Sequence, residues 1–113
     1  MIKVNVIKMN GEIRAVVATG HAEKGAKAVE ICSGVSTLMY TLALRLQEIN
    51  RVGVRVTDNN EGMSVDIIRG HMKREAKIVT ATILRGLRGI ADLYPHSLRI
   101  YITDADAEKY TGE

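Results

Sequence analysis

The feature that most constrains the fold is an alternation of apolar and polar residues on each side of Asn10-Gly11. Apolar side chains occupy every second position in both flanks, at Ile2, Val4, Val6, Ile13, Ala15 and Val17. This period of two is typical of strands with one buried face, and Asn-Gly is favoured in tight hairpin turns. Residues 2–19 are therefore predicted to form a β-hairpin.

Two later segments repeat apolar residues every three or four positions, which is the spacing of one buried helix face. The first stripe consists of Ile31, Val35, Leu38, Leu42, Leu46 and Ile49. The second consists of Val79, Ile83, Gly86, Leu87, Ile90 and Leu93. The first helix is predicted from about Ile31 to near Asn50, and Pro95 should stop the second.

A second hairpin is predicted between the helices, and a last strand after them. Alternating apolar residues flank the turn residues 58–62, at Val52, Val54, Val56, Met63, Val65 and Ile67. Leu98, Ile100 and Ile102 alternate in the same way near the end of the chain. The order ββαββαβ predicts an α+β fold, with a mostly antiparallel sheet and two helices packed on one face.

The length of 113 residues suits one domain, residues 1–113, with a single hydrophobic core. We expect the acidic tail 104–113, which has little apolar content, to fray. No apolar run approaches the roughly 18 residues of a membrane span, and the N-terminus lacks the apolar region of a secretory signal. The expected location is the cytoplasm, with no membrane partner.

The chemistry of the chain depends on one cysteine, which cannot form an internal disulfide. Cys32 is predicted in the first turn of the first helix, where free N–H groups and the helix dipole stabilise a thiolate. His21, at the end of a strand, is the nearest candidate base in sequence. A buried, inert Cys32 is the competing interpretation, and His71 and His96 are competing partners.

Other classes of site have less support. One cysteine and three scattered histidines lack metal-ligand spacing, and no phosphate-binding Gly-x-x-x-x-Gly-Lys motif occurs. The net charge of +3 leaves RNA binding open, although the chain has no Trp or Phe for stacking. The basic residues that motivate this alternative lie on the second helix, at Lys73, Arg74, Lys77, Arg85 and Arg88.

A motif joins the end of the first hairpin to the first helix: Gly20-His21-Ala22, then Gly25, then Cys32 followed by Val35-Ser36 at the head of the helix. This motif resembles that of the ribosomal-processing cysteine proteases called Prp. The order of strands and helices also matches over nearly the whole chain. Prp enzymes remove a short N-terminal extension from a large-subunit ribosomal protein, and phage relatives mature capsid proteins.

The resemblance implies a Cys-His dyad without a cofactor, in which Cys32 is the nucleophile and His21 the base. It assigns Ser36 a supporting role and the segment 23–28 a role in gating or binding the peptide substrate. Gly20 and Gly25 would give this loop its freedom, and Ala22 belongs to it. The implied partners are the peptide tail of a ribosomal or capsid protein and a second copy of the chain, in a homodimer.

One position departs from the family pattern. The family usually has an aspartate three residues before the cysteine, and this chain has Val29 there, with Glu30 one position nearer. Glu30 is therefore a candidate supporting acid. If the missing aspartate matters, the chain has weakened catalysis, a different substrate, or only a scaffolding role. A non-catalytic ribosome-associated or RNA-binding dimer is the alternative function.

Overall fold

The computed structural model describes residues 1–25 and 27–105, and the elements follow the predicted order ββαββαβ. The strands are β1 (Ile2–Met9), β2 (Glu12–Thr19), β3 (Gly53–Asn59), β4 (Gly62–Arg69) and β5 (Leu98–Ala105). The helices are α1 (Ala28–Glu48) and α2 (Arg74–Leu93). Asp104 and Ala105, which were expected in a frayed tail, continue β5, and the rest of that tail lies outside the described residues.

The strands form one sheet in the order β3-β4-β2-β1-β5. Each hairpin is antiparallel, and β2 also pairs antiparallel with β4. The pairing of β1 with β5 is parallel, because α2 carries the chain across the sheet before β5 begins. The prediction of a mostly antiparallel sheet is confirmed.

The register of the first hairpin corrects the predicted buried face of β2. The pairing shifts by one residue between Ile7 and Lys8, so that Ile7 pairs with Ala15 while Lys8 pairs with Ile13. Such a bulge changes which residues of β2 face the helices. Val16 and Ala18 lie in the core cluster and Val17 does not, whereas Ala15 is buried as expected, at 1% exposed.

The core lies between the sheet and the two helices. Helix α1 buries Ile31, Val35, Met39, Leu42, Ala43 and Leu46. Met39 and Ala43 were absent from the predicted stripe, whereas Leu38 is only half-buried. Leu38 instead packs beside α2, where a Cβ added to Gly86 would lie 3.1 Å from its Cδ1. The absence of a side chain at Gly86 lets the two helices approach closely.

The buried face of α2 also differs from its prediction. Leu93, at the end of the predicted stripe, is 74% exposed. Thr80 is 2% exposed, and its hydroxyl donates to the carbonyl of Ala76 at 2.7 Å. This bond within the helix allows a polar residue to take an inward position. The inward side of α2 continues through Ile90 to Tyr94, which pack against the core, so that Leu93 lies off this stripe.

Helix α1 has the length and apolar composition of a membrane span, contrary to the expectation from the sequence. A core helix of a globular domain passes the same test. The inward face of α1 packs against the sheet and α2 in one hydrophobic cluster. Burial within the domain thus accounts for the apolar residues on this face, while Val29 and Leu44 are exposed, at 77% and 61%.

Candidate active site

A cavity of about 180 Å³ lies between the first half of α1, the end of β2 and the turn that joins β3 to β4. Both proposed members of the dyad, His21 and Cys32, line it. Among the described residues, no lysine or arginine lines this cavity, whereas Asp58 and Glu61 do. The cavity is therefore locally acidic in a chain with a net charge of +3.

His21 follows the last residue of β2 by two positions, and the intervening Gly20 sets the path of the chain. Gly20 has φ +84°, and a Cβ there would lie only 2.3 Å from the carbonyl oxygen of Met1. A larger residue would force the end of β2 away from the start of β1. Gly20 thus allows the strand to turn sharply and to present the exposed His21 at the cavity.

Cys32 is the fifth residue of α1, because the helix begins at Ala28. The predicted position in the first turn is wrong, since the N–H of Ile31 already donates to Lys27 at 2.9 Å. The free N–H groups at the helix start therefore lie before the cysteine. A different donor reaches the half-buried sulfur: the backbone N–H of Ala22 donates to Cys32 Sγ at 3.5 Å.

This contact between Ala22 and Cys32 places the residue directly after His21 against the sulfur. An N–H group directed at the sulfur is placed to donate to negative charge that forms on it during a reaction. The loop predicted between strand and helix thus folds back as expected. The sequence pointed to His21 and Cys32, but only the structure shows that the donor to the sulfur is the backbone N–H of Ala22.

Ser36 also lines the cavity, one helical turn after Cys32. Tyr40 follows at the same four-residue step, and Val35 and Met39 lie deeper on this side of α1. Residues four apart lie above one another on one helix face. The spacing of Cys32, Ser36 and Tyr40 was therefore a signal that could have identified Tyr40.

The turn between β3 and β4 forms the wall opposite α1. The side-chain oxygen of Asn59 accepts the N–H groups of Glu61 at 2.8 Å and Gly62 at 3.3 Å. A Cβ on Gly62 would lie 2.1 Å from the carbonyl oxygen of Ala18 in β2. These contacts hold the turn rigidly beside the end of β2, next to His21.

A hydrogen bond joins this turn to α1. The hydroxyl of Tyr40 donates to the carboxylate of Asp58. This bond, together with the negative charge of Asp58, raises the pKa of Tyr40 above its usual value. Tyr40 and Asp58 are functional candidates that sequence reasoning missed, because 18 residues separate them in the chain.

Two predicted site residues, Glu30 and Gly25, lie away from the cavity lining, as does Val29. Val29 and Glu30 are exposed in the first turn of α1, and neither contributes to the cavity. Gly25 accepts the N–H of Ala28 at 3.2 Å and also lies outside the lining. Of the predicted substrate loop 23–28, Ala28 is already helical and residue 26 lies outside the described residues.

The two competing histidines are located elsewhere. His71 lines a separate cavity with Glu12, Lys77 and Thr80, among others. Burial and the positive charges of Arg14 and Lys77 lower the pKa of His71, against a smaller opposite effect of Glu12. His96 lines a third cavity, near the end of α2. Neither histidine lines the cavity that contains Cys32.

The observations on metal and RNA binding concern other surfaces. Within residues 1–25 and 27–105, no group of three or more His, Cys, Asp or Glu side chains could hold a metal ion. Arg74, Arg85 and Arg88 are exposed on α2, while Lys77 forms an ion pair with Glu12 at 3.1 Å. RNA binding by α2 therefore stays a hypothesis.

Comparisons with known proteins agree with this geometry. The sequence model of the family described as Cysteine protease Prp matches residues 1–99. A search of curated protein sequences gives no significant match.

Solved structures with the same fold cover nearly the whole chain. SMU.848 from Streptococcus mutans is 24% identical, with a TM-score of 0.77 over 93% of this chain and 96% of that one. The essential ribosomal processing protease Prp from S. aureus, in complex with a substrate peptide, is 18% identical. Its TM-score is 0.81, over 91% of this chain and 100% of that one. The same protease with a covalently linked product peptide is 19% identical, with a TM-score of 0.80 and the same coverage.

Proposed function

The chain belongs to the cysteine protease Prp family, and we propose that Cys32 is its nucleophile and His21 its general base. The observation that carries the proposal is that both residues line one cavity, in which the sulfur accepts the N–H of Ala22. A cysteine that shares a cavity with a histidine, and whose sulfur accepts a backbone N–H, is suited to acyl transfer.

The reaction proceeds in two steps. His21 accepts the proton of the Cys32 thiol, and the thiolate attacks the carbonyl carbon of the scissile peptide bond. The tetrahedral intermediate then collapses to a thioester, while His21 protonates the departing amine. Water, deprotonated by His21, attacks the thioester, releases the carboxylic acid and regenerates the thiol. The N–H of Ala22 stabilises the sulfur in its anionic form before attack.

The proposed substrate is the N-terminal extension of a large-subunit ribosomal protein, with a phage capsid protein as the other source of such a tail. The support is the family membership and the fold shared with the S. aureus ribosomal processing protease that binds a substrate peptide. We also propose a cytoplasmic location, where such a substrate is synthesised. The predicted homodimer and any association with the ribosome stay predictions.

Val29, which replaces the family aspartate, does not oppose a catalytic role. Its side chain is 77% exposed and lies outside the cavity lining. An acid at this position would thus point to solvent, where its electrostatic effect on the dyad is weak. We therefore favour an active enzyme over a silent scaffold.

The test measures peptide cleavage and thiol reactivity together. Wild-type protein, Cys32→Ala, His21→Ala and the control His96→Ala are incubated, reduced, with the substrate peptide of the S. aureus neighbour, and the products are identified by mass spectrometry. Wild type and His96→Ala should cleave it. Cys32→Ala and His21→Ala should lose about a thousandfold or more in rate, because neither residue alone sustains acyl transfer.

Alkylation of Cys32 by iodoacetamide tests the dyad without a substrate. The rate near neutral pH should fall in His21→Ala and stay unchanged in His96→Ala, because His21 takes up the thiol proton. Equal alkylation rates in all three proteins, together with equal cleavage by His21→Ala, would show that His21 is not the base.

A further inference from the structure

The cavity continues along α1 beyond the dyad as far as Tyr40. Cys32, Ser36 and Tyr40 line it at successive four-residue steps. Eight residues of helix rise about 12 Å. An extended peptide advances about 3.3 Å per residue, so this length corresponds to three or four substrate residues. A peptide that lies in the cavity with its scissile bond at Cys32 can therefore reach Tyr40.

Tyr40 lies at the end of this cavity that is farther along α1 from Cys32, and it is 46% exposed. An exposed aromatic side chain on a helix normally samples more than one rotamer. The hydrogen bond from its hydroxyl to Asp58 removes this freedom by tying the ring to the β3–β4 turn.

Asp58 is itself held in place from the other side. It precedes Asn59, whose side chain binds the backbone of Glu61 and Gly62 and so fixes the turn. Gly62 is in close contact with Ala18 of β2. The turn that carries Asp58 is therefore held by its own hydrogen bonds and by its packing against β2.

We propose that Tyr40 is a specificity-determining residue of the protease, which contacts the substrate three or four residues from the scissile bond, and that Asp58 positions its ring. This inference rests on the proposed function in so far as it takes Cys32 as the nucleophile. A ring held ready in one orientation binds the peptide without first losing rotational freedom. The pair therefore increases the affinity for peptides long enough to reach it.

The test uses the substrate peptide of the S. aureus neighbour and versions shortened one residue at a time from each end. Cleavage is measured as kcat/KM, and binding is measured in a Cys32→Ala background by fluorescence anisotropy. In wild type, affinity and kcat/KM should rise by about threefold to tenfold when the third or fourth residue from the scissile bond is added at one end. Tyr40→Phe should lose this rise, so that its rate relative to wild type is lower on the longer peptides than on the shorter ones.

Variants of Asp58 separate positioning from a general structural role. Asp58→Ala should lose the same rise in affinity and kcat/KM with peptide length as Tyr40→Phe. The double variant Tyr40→Phe/Asp58→Ala should lose no more of this rise than either single variant. Asp58→Asn keeps an acceptor oxygen and should retain most of the rise. Tyr101→Phe, a control at an exposed tyrosine of β5 outside the cavity, should resemble wild type. The alkylation rate of Cys32 in Tyr101→Phe should equal that of wild type.

Several outcomes would overturn the inference. An equal dependence on peptide length in wild type and Tyr40→Phe would do so, as would an equal loss on short and long peptides. Failure of every peptide to bind the Cys32→Ala protein would refute the claim that a substrate peptide lies in this cavity. If the peptides bind with the expected rise but wild type does not cleave them, the proposed function fails while the role of Tyr40 and Asp58 stands.

Discussion

Replacement of Gly62 by alanine should destabilise the fold and damage the cavity together. A Cβ at Gly62 would lie 2.1 Å from the carbonyl oxygen of Ala18 and 3.0 Å from Cα of Thr19. Ordinary contacts of this kind are about 3.5 Å, so the two strands must separate locally by about 1 Å. Both obstructing groups belong to the backbone of β2, and neither can move aside as a side chain would.

The loss of stability in Gly62→Ala has two sources, the close contact and the backbone conformation. Overpacking of a close contact costs about 1–3 kcal/mol. Gly62 also has φ +154°, a conformation that costs a residue with a side chain about 1–3 kcal/mol. The expected loss for Gly62→Ala is therefore about 2–6 kcal/mol. For a domain of this size each kcal/mol lowers the Tm by about 4 °C, so the Tm should fall by about 8 °C or more.

Gly11→Ala is the matched control, because Gly11 also has a positive φ of +79° but nothing lies within 4 Å of an added Cβ. Only the backbone cost applies there, about 1–2 kcal/mol. Urea unfolding of the reduced proteins gives both values. Peptide cleavage should fall in Gly62→Ala, whose turn is displaced from the cavity, and persist in Gly11→Ala. Equal losses of stability would refute the steric argument.

Two further predictions concern the core and pH. Leu42→Ala should lower the free energy of unfolding by about 2–5 kcal/mol, because Leu42 is 1% exposed. Leu44 on the same helix is 61% exposed, and Leu44→Ala should change the free energy of unfolding by less than about 0.5 kcal/mol. Equal effects of the two substitutions in urea titrations would contradict the assigned burial. The lowered pKa of His71 means that, below its usual value of 6.5, the unfolded chain binds a proton that the folded chain does not. Stability should therefore fall as pH drops from 6.5 towards the folded-state pKa, and His71→Gln should fall less steeply; parallel Tm curves would argue against this effect.

The sequence predicted the fold through local patterns, and its errors have local causes as well. Both hairpins were recognised because turn residues such as Asn10-Gly11 stand between alternating runs. The buried face of β2 was misassigned because alternation alone does not reveal a bulge. The start of α1 was placed three residues late, at Ile31, because its exposed first turn carries no apolar periodicity.

The candidate site was predictable only in part. His21 and Cys32 stood out as a resemblance to a known family, and the structure places both on one cavity. Glu30 was selected because it is an acid one position from the place of the family aspartate, yet residues two apart on a helix, such as Glu30 and Cys32, point in different directions. Helical geometry, applied to the same segment, favours Ser36 and Tyr40 instead.

By itself the sequence determined the order of elements and the two turns, because periodicity and turn chemistry are properties of neighbouring residues. It indicated His21 and Cys32 only through a resemblance to a known family. Only the tertiary structure decided that His21, rather than His71 or His96, shares a cavity with Cys32. It also brought the β3–β4 turn to α1, because the pairing of β4 with β2 joins strands that are far apart in the chain. Contacts of this kind depend on how strands are ordered in the sheet, which no local pattern encodes.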